Sequence, residues 1–148
     1  MRLRVDVSVE SGRLGVSRAV IERAVRAALR AGGIRDAVIS LAFVSNRTIA
    51  QLNRTHLGHR GVTDVISFGY PPAADPAPLV GDVYVGLEVA RAAARARGIS
   101  AREELVRLAV HGTLHVVGYD HPDGEARTSS AMWRAQERIV RRVLKASA

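Results

Sequence analysis

The chain contains no cysteine, which excludes disulfides and thiolate chemistry. No stretch of 18 apolar residues occurs, so a membrane-spanning helix is not expected. The opening MRLRVDVSVE alternates charge with valine and lacks the apolar stretch of a secretory leader. A cytoplasmic location without membrane association is therefore the expectation. Aromatic residues make up only 4% of the chain, with one tryptophan, which leaves no broad base-stacking surface. Lysine is nearly missing too: of 22 basic residues only Lys145 is not arginine.

The 148 residues suit one domain of ordinary size, and an apolar share of 47% is enough for a substantial core. Twenty-two basic against 14 acidic residues leave a net charge of +8. A small domain with that excess suits polyanionic partners, nucleic acid first among them. The abundance of arginine, alanine, glycine and valine also fits a GC-rich genome, so charge alone does not decide the partner.

Alternation of Leu3, Val5 and Val7 against Arg2, Arg4 and Asp6 predicts a half-buried strand over residues 2–9. Ser17 caps an expected amphipathic helix that Gly32 and Gly33 stop. Asp36–Val44 reads as a second strand, and Ser45 opens a short helix ending near Gly58. Asp64–Gly69 and Asp82–Leu87 read as two further strands around a proline-rich loop, Pro71–Pro78. An alanine- and arginine-rich helix then runs to Gly98. Ser100 and Glu103 form a capping box for a helix reaching about Val117, apolar almost all round and hence expected at the domain centre. The last helix is expected over Arg127–Leu144. No repeat or long linker interrupts this order. The expected fold is a single compact α+β domain: a mixed four-stranded sheet packed with helices, with a zincin-like central helix.

The chemistry concentrates in HGTLHVVGYDH, residues 111–121. His111 and His115 are four apart on a helix and project from one face. Gly118 can end the helix and reverse the chain, bringing His121 back towards the pair. Three of the five histidines thus fall within eleven residues, and leaving such rings buried without partners costs about 1–3 kcal/mol each. Three imidazoles fill three of the four positions that zinc prefers, leaving one for water or substrate. One catalytic Zn2+ per chain, held by His111, His115 and His121, is expected. The spacing is similar to the metzincin protease pattern, except that Gly112 stands where those enzymes carry a catalytic glutamate. Glycine accepts no proton, which argues against peptide hydrolysis.

As it stands, His111-Gly112-x-Leu114-His115-x-x-Gly118-Tyr119-Asp120-His121 resembles the signature of the YbeY endoribonucleases, or rRNA maturation factors. Leu52-Asn53, Thr63-Asp64-Val65-Ile66-Ser67-Phe68 and Gly81-Asp82-Val83 are similar to further segments of that family. The resemblance implies a zinc-dependent endoribonuclease that cuts single-stranded RNA in small-subunit rRNA maturation and ribosome quality control. Its partners would be single-stranded RNA, ribosomal RNA or the small ribosomal subunit, with no DNA expected. The family's arginine facing the metal cleft is replaced here by Leu57, with His56 and Arg60 at its tyrosine and aspartate positions. Arginine binds phosphate through paired, charge-assisted bonds. Leucine does not, so Arg54 or Arg60 is expected to supply that contact unless activity is weakened.

The zinc's own hydroxide or Asp120 is the candidate base, since zinc lowers the pKa of bound water to about 7. Trp133 is expected in the core, and His56 and His59 in solvent. The arginines of residues 91–97 and 134–142 read as solvated helix faces first and RNA-backbone contacts second. Two other classes are a metalloprotease-like hydrolase and a non-catalytic ribosome-assembly factor with a structural metal.

Overall fold

A computed structural model of the protein describes residues 2–72, 74, 76–120 and 130–147. The strands are β1 (Leu3–Val9), β2 (Ala37–Val44), β3 (Val65–Tyr70) and β4 (Leu79–Gly86). The helices are α1 (Arg18–Ala31), α2 (Asn46–Leu52), α3 (Leu87–Arg97), α4 (Ala101–Val117) and α5 (Ala131–Ala146). The strands form one sheet in the order β1-β2-β4-β3. β1, β2 and β4 are mutually parallel, while β3 runs antiparallel to β4 along the edge. The mixed α+β sheet expected from the sequence is therefore present.

Strand alternation decides what each face meets. Val5, Val7, Ile39, Leu41, Phe43, Val83 and Val85 point to one face and form the main core with α1, α4 and α5. On the other face Val44 and Ile66 pack with Ile49 of α2 in a smaller cluster. α4 is the hub of the helical layer, touching α1, α3, α5, β3 and β4. Eleven of its 17 residues are buried, in keeping with its nearly uniform apolar surface.

Serine hydroxyls start most of the helices. Ser17, Ser45, Ser100 and Ser130 accept the backbone N–H of Val20, Thr48, Glu103 and Trp133 at 3.0–3.3 Å. The Glu103 carboxylate, expected to close the Ser100 capping box, is held by Arg107 at 2.9 Å. Among the described residues α5 starts at Ala131, because Ser130 is its extended capping residue. The expected start at Arg127 lies outside the described residues. Leu87, expected to end a strand, instead opens α3 after the extended Gly86. α2 continues into a π-helical turn, Asn53–Leu57, which Gly58 ends.

Gly112 fixes how closely α4 lies on the sheet. A Cβ built there falls 2.5 Å from Val83 Cγ1, 3.0 Å from Ser67 Oγ and 3.2 Å from Val65 Cγ2. The Ser67 hydroxyl donates to the Gly112 carbonyl at 3.0 Å across the same contact. Helix propensity alone favours alanine over glycine by about 1 kcal/mol, but overpacking costs about 1–3 kcal/mol. Gly112→Ala is therefore expected to lower the melting temperature by several degrees, and Gly112→Glu to lower it more. Thermal unfolding followed by circular dichroism checks this order. A more stable Gly112→Ala protein would show that the contact is loose.

Candidate metal centre and adjoining cleft

With Gly112 turned to the sheet, His111 and His115 share a different face of α4. Their rings meet edge-on with centroids 4.6 Å apart, and their Nε2 atoms face each other at 3.1 Å. His111 is buried at 7% exposure, and His115 is half-buried.

The outer nitrogens are engaged by oxygen acceptors. His111 Nδ1 lies 2.7 Å from Gln136 Oε1 on α5. Gln136 Nε2 donates to Glu137 at 3.0 Å, which orients the amide so that its oxygen faces the histidine. His115 Nδ1 donates to the Tyr119 carbonyl at 3.0 Å, just beyond the helix end at Gly118. Gly118 has φ of 121°, a turn that L side chains rarely adopt, and this turn brings the Tyr119 carbonyl back beneath His115. With both Nδ1 atoms protonated, both Nε2 atoms present lone pairs to one point between the rings. Two zinc–nitrogen bonds of about 2.0–2.1 Å at a tetrahedral angle hold their nitrogens about 3.3–3.4 Å apart. The observed 3.1 Å is close to that bite, so the pair fits a divalent metal without rearrangement. Oxygen partners on the far nitrogens are what metal-binding histidines ordinarily carry. The third expected ligand, His121, lies outside the described residues. Among the described residues no group of three His, Cys, Asp or Glu side chains could hold a metal ion.

A cleft of about 330 Å³ opens beside His111, lined by Asp64, Arg97, Arg107, Trp133 and Gln136 among others. Its wall is held by an ion-pair network. Arg107 bonds Glu103 at 2.9 Å, Glu137 twice at 2.9 Å and Glu104 at 3.4 Å. Arg97 reaches the buried Glu104 at 3.1 Å while remaining half-exposed itself. Burial pushes the Glu104 carboxyl up from its usual range, with Arg97 and Arg107 opposing the shift. Burial also pushes Glu137 upwards, but the bonds from Arg107 and Gln136 outweigh it and leave its pKa lowered. The network joins α4 to α5 and so carries Gln136 to His111.

Trp133, expected in the core, is half-buried and lines the cleft. Asp120 is exposed. Arg54, His59, Arg60 and Leu57 are exposed on the π-helical turn and the loop after it. His56 is exposed too, and its ring packs edge-on to Phe68 at 5.0 Å. Among the described residues the cleft's arginines are Arg97 and Arg107 rather than Arg54 or Arg60. Sequence reading missed Gln136, although a signal existed. It is a lone amide on the buried stripe of Met132, Ala135, Ile139 and Val140.

Comparison with known proteins follows the same lines. The family described as Endoribonuclease YbeY matches residues 8–144. A Bacillus licheniformis protein named Endoribonuclease YbeY is 35% identical, with 96% of each chain covered. One from Pelotomaculum thermopropionicum with the same name is 38% identical over 94% of this chain and 96% of its own. A Thermotoga maritima protein solved in solution has a similar fold, with a TM-score of 0.63 at 24% identity. That match covers 96% of this chain and 90% of the other.

The lowered pKa of Glu137 sets a pH dependence. Its folded-state pKa lies below the ordinary 4.5, so its charge contributes stability above that pH and loses it as pH falls through the folded value. Glu137→Gln is expected to cost about 1.5–3 kcal/mol at pH 7, the scale of a charged hydrogen bond. The difference from the parent should shrink below about pH 4.5. Denaturant unfolding at both pH values checks it, and a pH-independent difference would contradict it.

Proposed function

Because the chain belongs to the Endoribonuclease YbeY family, we propose that it is a zinc-dependent endoribonuclease acting on single-stranded RNA. The substrate in this reading is the RNA of the small ribosomal subunit, during maturation and quality control, in the cytoplasm. The observation that carries the metal dependence is the His111–His115 pair, with Nε2 atoms 3.1 Å apart and each Nδ1 held by an oxygen. His111, His115 and His121 would hold one zinc ion. When bound, the metal supplies a Lewis acid that stabilises charge building on a phosphate oxygen.

The remaining work falls to the chain's own residues. Gln136 and the Tyr119 carbonyl keep the imidazoles in the tautomer that ligation needs. Arg97, half-exposed beside the buried Glu104, is placed to hold a phosphate at the cleft mouth. Arg54 on the π-helical turn, or Arg60 on the loop after it, meets the RNA backbone in place of the contact that Leu57 does not make. Asp120, two residues past Gly118, is the candidate to accept a proton from the attacking group, whether water or a 2′-hydroxyl. The metalloprotease reading is disfavoured by packing. Gly112 abuts Val83 and Ser67, so the position of the protease glutamate faces the sheet rather than the cleft.

About one zinc per chain is expected by elemental analysis. His115→Ala is expected to lose it, and Gln136→Leu to weaken zinc binding about 10–100-fold. Chelator should stop cleavage of single-stranded RNA, and added zinc should restore it. Equal zinc content in His115→Ala and the parent would overturn the site, and chelator-resistant cleavage would overturn the zinc dependence.

Replacing Arg54 or Arg60 with alanine should reduce RNA turnover several-fold with zinc content unchanged, while Leu57→Arg changes turnover little. A large gain from Leu57→Arg alone would show instead that the phosphate contact is missing.

A further inference from the structure

A concentration of one charge lies away from the cleft. Arg2 before β1, Arg26 and Arg30 on α1, and Arg35 before β2 line one open depression of about 750 Å³. Arg2, Arg30 and Arg35 are exposed, and Arg26 is half-buried. Among the described residues the only ion pair in this group joins Arg26 to Glu22, at a loose 3.7 Å. Contrast Arg107, whose charge is taken up by three carboxylates. Four guanidinium groups facing one space repel each other, and folding gains nothing evident from gathering them. A polyanion relieves that repulsion.

The position of the depression relates it to the histidines. α1 ends at Ala31, and a Cβ built on the next residue, Gly32, would collide with Val117 Cγ1 at the end of α4. Gly81 likewise abuts Val116. The end of α4 that carries His115 is therefore wedged between the arginine-lined corner and the strand ends. A second depression, of about 270 Å³, adjoins the first through Gly33, Ile34 and Arg35 and includes Tyr70 and Pro72. Tyr70 is 47% exposed, and its hydroxyl donates to Asp82 at 2.6 Å, which fixes the ring. Arg35 lines both depressions, so the arginine cluster continues past the strand ends to one fixed, exposed aromatic ring. Cations for phosphates and a ring for a base are the groups that single-stranded nucleic acid uses.

We infer that Arg2, Arg26, Arg30 and Arg35 form a second RNA-binding surface, with Tyr70 at its margin beyond Arg35. It holds the single strand by its backbone at a distance from the bond being cut. The inference rests on the reading of the substrate as single-stranded RNA. The surface contributes affinity and strand preference rather than sequence selection, because phosphate contacts carry no base information. Duplex RNA binds it less well, since paired bases cannot turn onto Tyr70.

The test is the salt dependence of affinity for a single-stranded oligouridylate, using the full zinc-loaded chain at a temperature that suppresses turnover. Each phosphate neutralised on a single strand contributes about −0.7 to the slope of log affinity against log salt. The triple variant Arg2→Glu, Arg30→Glu, Arg35→Glu should flatten the slope by about 2. The parent should accordingly lose about twentyfold more affinity than the variant between about 50 and 200 mM salt. A control with the same net charge, Arg95→Glu, Arg138→Glu, Arg142→Glu, should retain most of the parental slope. Tyr70→Ala should weaken binding with the slope intact. An unchanged slope in the first variant, or equal flattening in the control, would overturn the surface, the latter assigning affinity to net charge alone. If the first variant flattens the slope but the parent never cleaves RNA, the endoribonuclease reading falls and the binding surface stands. If the parent cleaves RNA while the first variant keeps the parental slope, the surface falls and the endoribonuclease reading stands.

Discussion

The close seating of α4 on β3 and β4 is the constraint from which the rest of the site follows. With only a hydrogen atom at Gly112, the helix meets Val83, Val65 and Ser67 directly. Helical geometry then turns His111 and His115 to a different side, where α5 covers one ring and the chain reversal after Gly118 covers the other. Any residue larger than glycine would lift or rotate the helix and move both rings together. One packing contact therefore sets both the missing protease glutamate and the aim of the histidines.

A second layer of order is electrostatic. Arg107 gathers Glu103, Glu104 and Glu137 into one network that spans α4 and α5. A buried Glu104 would be costly alone, but two arginines face it. The network does for α5 what Gly112 does for the sheet, placing Gln136 within hydrogen-bonding distance of His111. The arginines thus divide into two kinds. Arg107 is neutralised and holds the architecture, whereas Arg2, Arg30 and Arg35 keep their charge exposed.

The elements could be read from the sequence because their signals are local. Alternation marks β1, serine caps mark three helices, and the unbroken apolar surface of α4 places it centrally. The i, i+4 histidine pair also follows from helical periodicity alone. What could not be read depends on contacts between elements distant in the chain. Gln136 reaches His111 across 25 residues, and the Arg107–Glu137 pair spans 30. Trp133 was expected in the core because helical spacing carries no information about which stripe edges a cleft. Arg2 and Arg35 meet Arg26 and Arg30 only because β1 and β2 are neighbours in the sheet.

The tautomers of the two imidazoles test the metal-binding pair most directly. Long-range proton–nitrogen correlation spectra of the nitrogen-15-labelled protein distinguish Nδ1–H from Nε2–H rings, before and during zinc titration. In the zinc-loaded protein both His111 and His115 should carry their proton on Nδ1. Their Nε2 resonances should move together and saturate at one zinc per chain. Rings that stay Nε2-protonated in saturating zinc, or Nε2 resonances indifferent to it, would contradict the pair as a metal-binding unit.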